Sequence, residues 1–176
     1  LTLPASIAAV IWAGGIFSPF GFINTLLDAI GFKSISFLSK NLAKPSISLF
    51  HFWRNVGFCS IIYLAGLKGM PETLIEAARV DGANAWQRLW HVIWPTLRPI
   101  SLFVSLYATQ ATFRMFSAVH VITGGGPAHS SEPLLQYVYD RGWEDFQMGH
   151  AASAAIVLYL LVVIIYLSQQ QVLGGD

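Results

Sequence analysis

Charged side chains are scarce in this chain. Asp, Glu, Lys and Arg make up 11% of its 176 residues, against about 25% in soluble domains. Their signs nearly cancel, leaving a formal net charge of +1, which removes the electrostatic pull that a nucleic-acid partner would need. Cysteine is almost absent. Cys59 stands alone in an apolar stretch, so neither an intrachain disulfide nor a Cys-based zinc site is available, and its expected role is packing. His91, His120, His129 and His150 show no HExxH and no convergent spacing, so no metal site is expected. Gly124–Pro127 is not followed by Gly-Lys-Ser/Thr and so is not a phosphate loop. No Ser-His-Asp arrangement can be drawn. No catalytic residue, metal or cofactor is therefore expected, and an intramembrane enzyme is the weakest of the possible classes.

Apolar surface is what the chain has in excess: 55% of residues are hydrophobic and the mean hydropathy is +0.57. A soluble protein of this size could not bury so much, so the expected solvent is largely lipid. Four apolar segments stand out: 1–17, 46–67, 100–122 and 151–167, the last extendable to Met148. About 20 helical residues cross a bilayer core, and lipid leaves no partner for an open sheet edge. The expected fold is all-α, a polytopic helical membrane protein. Residues 1–17 carry no basic lead and no cleavage signal, which excludes a signal peptide. They read as the later part of a membrane helix, and the sequence as a fragment or an incompletely predicted reading frame.

The connections differ in kind. Residues 18–45 hold SPFGF, Asn24, Asp28 and three lysines and predict a loop with a short amphipathic helix. Residues 123–147 open on a Gly-Gly-Gly-Pro turn and continue as a mixed segment, 132–146. Residues 68–98 are charged and amphipathic. There, Pro71 and Glu72 suit a first helical turn, and 72–80 tolerates helix throughout. Asp81-Gly82 is a break signal, and a second helical run, 83–93, leads to Pro95 and Pro99. Short helix, Gly bend and second helix follow from the residues alone. The plainer use of such an element is an amphipathic helix lying on a membrane surface.

Glu76-Ala77-Ala78, three residues, Gly82, then nine residues to Val92, Ile93, Trp94 and Pro95 resembles the EAA loop of the membrane subunits of binding-protein-dependent ABC importers. Val92 and Trp94 stand where Ile and Leu are common, with apolar bulk kept. The resemblance runs through 11–27 (IWAGGIFSPFGFINTLL, with a G-x-x-N pattern), 64–83, 121–127 (VITGGGP) and 131–158. It points to the sugar branch, similar to maltose and glycerol-phosphate permeases, with that family's first helices missing. It implies a type I ABC importer permease fold over 1–176 as one partial transmembrane domain, with a coupling loop at 71–95. Glu76, Ala77, Ala78, Asp81, Gly82 and Ala83 are then the elements that receive motion from an ATPase. The implied partners are a separate ABC ATPase subunit, a second permease, an extracytoplasmic solute-binding protein, a small-molecule solute and membrane lipid. The implied location is the prokaryotic cytoplasmic membrane, crossed several times. An amino-acid or peptide importer is the alternative at the level of solute, and a truncated, non-functional remnant is the alternative at the level of the chain.

Orientation does not follow from charge. Lys68, Arg79, Arg88 and Arg98 in one connection are balanced by Lys33, Lys40, Lys44 and Arg141 in the other two, so the positive-inside rule is tied. The resemblance places 68–98 in the cytoplasm. Polar residues inside apolar segments are the remaining signal, because they are costly in lipid. His51, Arg54, Asn55 and Phe58 share one helical face. Hydrogen-bonding and aromatic groups together suit a sugar, so they are candidate path-lining residues. The competing reading has Arg54 snorkelling or pairing with a neighbouring subunit, and His51 near the outer interface. On the third segment Tyr107, Gln110, Arg114 and Ser117 share a face, whereas family spacing points to Thr112 and Met115. Thr112, Arg114 and Met115 are the candidates kept, with a structural ion pair as the other use of Arg114.

Overall fold

A computed structural model describes residues 3–173. Among them the regular structure is helical: α1 (Ala5–Gly15), α2 (Phe22–Ala29), α3 (Ala43–Lys68), α4 (Glu72–Val80), α5 (Ala85–Arg88), α6 (Trp94–Thr96), α7 (Arg98–Phe113), α8 (Phe116–Ile122), α9 (Leu134–Tyr139) and α10 (Met148–Leu173). Two π-helical turns, Leu89–Ile93 and Asp140–Glu144, join α5 to α6 and extend α9. The chain divides into two compact units, Leu1–Asn55 with Gln110–Val162 and Val56–Thr109 with Val163–Asp176.

The first unit has an aromatic and small-residue core. Ala8 and Ala9 of α1 are buried with Ala118, Val119 and Ile122 of α8, and Phe17, Ile47 and Phe50 complete the cluster. Small side chains on α1 let α8 lie close against it. Trp12 sits at the centre, its ring 5.4 Å from Phe17, 5.6 Å from Phe50 and 5.0 Å from Trp53. Offset and edge-on contacts of this kind suit the aromatic quadrupole. The connection from α1 to α3 is held by a fully buried Asn24. Its Nδ2 donates to the carbonyls of Ser18 and Ile35, both at 3.0 Å, and its Oδ1 accepts from the Ile35 N–H at 2.7 Å. Its Oδ1 thus satisfies the buried Ile35 N–H, and its Nδ2 adds a second donor to the Ser18 and Ile35 carbonyls, which also accept from the Gly21 and Phe37 N–H groups. Gly21 is required beside it, because a Cβ there would lie 2.7 Å from the Ile16 carbonyl oxygen.

In the second unit α3 and α7 approach closely. The Tyr63 hydroxyl donates to Ser101 Oγ at 3.2 Å, and a Cβ on Gly66 would overlap Ile100 Cδ1. Gln169 Nε2 of α10 donates to Thr109 Oγ1 of α7 at 2.6 Å. Small residues and interhelical hydrogen bonds are the means by which helices associate where lipid removes the hydrophobic drive.

Three of the four apolar segments form the helices expected of them, at 5–15, 43–68 and 148–173. The segment 100–122 does not run as one helix. It breaks at Arg114–Met115, where Arg114 N–H bonds to Gln110 O and Met115 N–H to Thr112 O, and α8 then restarts. Neither Gly nor Pro causes the break. It re-aims α8 so that Ala118, Val119 and Ile122 are buried in the cluster that also holds Ala8 and Ala9. Among the described residues one helix, α10, is both long and apolar enough to cross a membrane. Helix α3 has the same length, 26 residues, but carries Lys44, His51, Arg54, Asn55 and Lys68.

Candidate functional site

The first candidate region is the element around Gly82. Helix α4 ends in a Schellman arrangement. Ala83 N–H bonds to Ala78 O at 2.9 Å, Gly82 N–H to Arg79 O at 3.0 Å, and Gly82 has φ +78°, a left-handed angle that Gly reaches without Cβ strain. Helix α5 opens at once on a capping box: Asn84 Oδ1 accepts from Gln87 N–H at 2.9 Å, and Gln87 Oε1 from Asn84 N–H at 2.8 Å. The bend is therefore fixed from both sides by bonds spanning only a few residues. Arg88 adds a third tie, its guanidinium donating to Ala83 O at 2.8 Å.

The π turn after α5 follows from Pro95. Proline has no N–H for the His91 carbonyl, and its ring crowds that carbonyl. The helix widens instead, Trp94 N–H bonding to Leu89 O. Thr96 Oγ1 donates to Val92 O at 2.7 Å. Glu76, Ala77, Asp81 and Gly82 are exposed, Ala83 is half-buried, and Ala78 is the anchor at 9% exposure. Asp81, Gly82, Ala83, Gln87, His91 and Val92 line an open cleft of about 400 Å³. The structure thus presents five of the six candidate residues at an accessible or half-accessible bend and buries Ala78. The cleft residues Gln87 and His91 escaped the sequence reading, although the Asn84-x-x-Gln87 capping spacing was there to signal one of them.

The second region is the polar stretch of α3. Asn55 Nδ2 donates to His51 O at 2.8 Å and lies 3.4 Å from each His51 ring nitrogen, while Thr112 Oγ1 lies 3.3 Å from His51 Nε2. His51, Asn55 and Thr112 are therefore brought together across 61 positions of sequence. Arg54 is directed elsewhere, its guanidinium donating to the Leu3 carbonyl at 3.2 Å. Met115 packs against the aromatic core, and exposed Arg114 stands beside it in the turn between α7 and α8. The shared face of Tyr107, Gln110, Arg114 and Ser117 required an unbroken helix and does not survive the break. Phe58, in the second unit, stacks on Tyr107 with ring centroids 4.6 Å apart.

Comparison with known proteins concerns the chain as a whole. The family model for the inner membrane component of binding-protein-dependent transport systems matches residues 2–174. The chain is 31% identical over 159 residues to the sn-glycerol-3-phosphate transport system permease protein UgpA of Rhizobium meliloti, covering 90% of this chain and 54% of that protein. It is 32% identical over 160 residues to the sulfoquinovosyl glycerol transport system permease protein SmoG of Agrobacterium fabrum, covering 90% and 52%. The chain thus spans about half the length of these relatives. In fold it matches a chain of a bacterial ABC transporter involved in the import of the acidic polysaccharide alginate, with a TM-score of 0.83 at 23% identity, over 97% of this chain and 60% of that one.

Proposed function

The chain belongs to the family of binding-protein-dependent transport system inner membrane components, and from that premise we propose that it is the permease subunit of an ATP-driven importer of a sugar or sugar-like solute. The observation that carries the reading is the Gly82 bend lying inside a family match that runs almost end to end. The subunit crosses the cytoplasmic membrane several times and hydrolyses no ATP itself. A separate ATPase subunit does so, beside a second permease and an extracytoplasmic solute-binding protein. Two relatives are named for glycerol-linked solutes, glycerol phosphate and sulfoquinovosyl glycerol, which supports a polyhydroxylated solute here.

In this reading α4 and the Gly82 bend receive the closure of the ATPase, with Glu76, Ala77, Asp81, Gly82 and Ala83 at the contact and Ala78 holding α4 in place. A bend pinned at both ends moves as a body, which is what rigid-body alternating access needs. His51, Asn55 and Thr112 supply hydrogen-bonding groups to the path, and Phe58, about one turn along α3 from Asn55, supplies a ring. Arg114 stands at its edge. Arg54 and Met115 hold the surrounding backbone and core.

The test is co-purification and transport. The chain is expected to bring down an ATPase and a second permease, and the reconstituted assembly to take up a labelled polyol or sugar only with ATP and a binding protein. Purification without an ATPase would count against the proposal.

A further inference from the structure

The two arms of the 71–96 element have opposite chemistry. Glu72, Glu76 and Asp81 lie on or directly after α4, with Arg79 as the one basic residue there, and from Gly82 to Ser131 there is no acidic residue at all. The second arm carries Arg88, His91 and Arg98 as its ionisable groups up to the start of α7. It also carries three tryptophans, Trp86, Trp90 and Trp94, half of the six in the chain. They form a ladder: ring centroids are 5.8 Å apart between Trp86 and Trp90 and 5.9 Å between Trp90 and Trp94. Their exposures are 67%, 48% and 44%.

The π turn affects the direction of the ladder. In an α-helix a spacing of four drifts by about 40° around the axis at each step, so three such residues would fan out. The widened turn at Leu89–Ile93 counters that drift and keeps the third indole beside the second. The exposed surface so made is broad and aromatic, and the ionisable residues along its own arm are all basic or His. It runs through Pro95 and Pro99 into α7.

We infer that the Trp86–Trp90–Trp94 face lies in the headgroup–acyl boundary of anionic phospholipid, anchoring the second arm to the bilayer while the acidic first arm is left to the protein partner. Indole is the side chain best suited to that boundary, with an apolar body and one polar N–H. An arm with tryptophans and arginines but no acid suits an anionic leaflet. The inference rests on the membrane-spanning reading above but not on the coupling role.

The test uses the assembled transporter carrying 5-fluorotryptophan in nanodiscs of phosphatidylethanolamine and phosphatidylglycerol, with resonances assigned by single Trp→Phe changes. A spin-labelled lipid is expected to broaden the Trp86, Trp90 and Trp94 signals several-fold more than a water-soluble paramagnetic reagent does. Replacing phosphatidylglycerol by phosphatidylcholine is expected to weaken that broadening. Tyr159→Trp on α10 adds an exposed reporter in the one helix, among the described residues, long and apolar enough to cross a membrane. If that reporter is untouched by the lipid label, the membrane reading has failed. If it is broadened while the ladder responds to the soluble reagent, the ladder faces water and this inference is overturned. It is equally overturned if the ladder is shielded from both agents until the ATPase is stripped, since protein then covers it, or if lipid charge makes no difference.

Discussion

The Gly82 bend and the polar stretch of α3 are built by opposite means. The bend is local: its bonds join residues at most five apart, it is mostly exposed, and it closes on itself. The α3 stretch is assembled from a distance, His51 meeting Thr112 across 61 positions and Arg54 meeting Leu3 across 51. A local device keeps its shape while it is pushed, which suits a part that passes on motion. A long-range one exists only in the folded helix arrangement, so its groups reorganise when the helices shift, which suits a part that binds and releases.

The strongest way to break this contrast is Gly82→Pro. Proline fixes φ near −65° and removes the N–H that bonds Arg79 O, at a residue whose φ is +78°. Uptake is expected to fall to background while membrane insertion is retained. Gly82→Ala, which costs about 1 kcal/mol in the left-handed region, should give a partial loss. Full transport with proline at that position would end the coupling role.

Next in size is sidedness, which is close to all-or-none. In a Cys59→Ser background, Ser130→Cys is expected to react with an impermeant thiol reagent in intact cells and Asn84→Cys is not. The opposite pattern would place the bend on the wrong side of the membrane for any ATPase.

Glu76→Ala sharpens the contrast from the first side. Glu76 is exposed on α4, so folding should be preserved. The expected outcome is ATP hydrolysis that no longer tracks solute, read by measuring both in the reconstituted complex. An unchanged ratio of uptake to hydrolysis would remove Glu76 from the contact.

The smallest effect is expected on α3. One good hydrogen bond to an uncharged solute is worth on the order of 1 kcal/mol, so Asn55→Ala should weaken transport several-fold through apparent affinity, leaving the ATPase attached. Phe58→Ala should alter solute preference as well. If neither changes uptake, affinity or preference, those residues pack helices and do not line the path.

The same division explains what could be read from the sequence. Helix, bend and helix at 72–96 were legible because Pro71, Gly82 and Pro95 act on their immediate neighbours. The G-x-x-N pattern at Gly21 and Asn24 was visible, but its reason was not, since Ile35, the partner of Asn24, is 11 residues away. Periodicity placed His51, Arg54, Asn55 and Phe58 on one face and could not separate them. Arg54 turns to a carbonyl before α1, and Phe58 to Tyr107. The break at Arg114–Met115 has no local cause, being set by where α8 packs, so a continuous 100–122 was the natural and mistaken expectation. The π turn had its signal in Pro95, which marks a disturbance without saying whether the helix ends, kinks or widens.

Gly66 has a consequence for how this chain can diverge. A methyl group there meets Ile100 Cδ1 and comes within 3.2 Å of Leu97 Cδ2, so alanine at 66 requires the Ile100 side chain to turn aside, a local repacking of the kind overpacked cores undergo. Shortening Ile100 to valine first removes the Cδ1 atom in the way. The two positions are thus coupled: alanine at 66 fits more readily beside a shorter residue at 100 than beside isoleucine, and changes at the two sites are expected not to be additive.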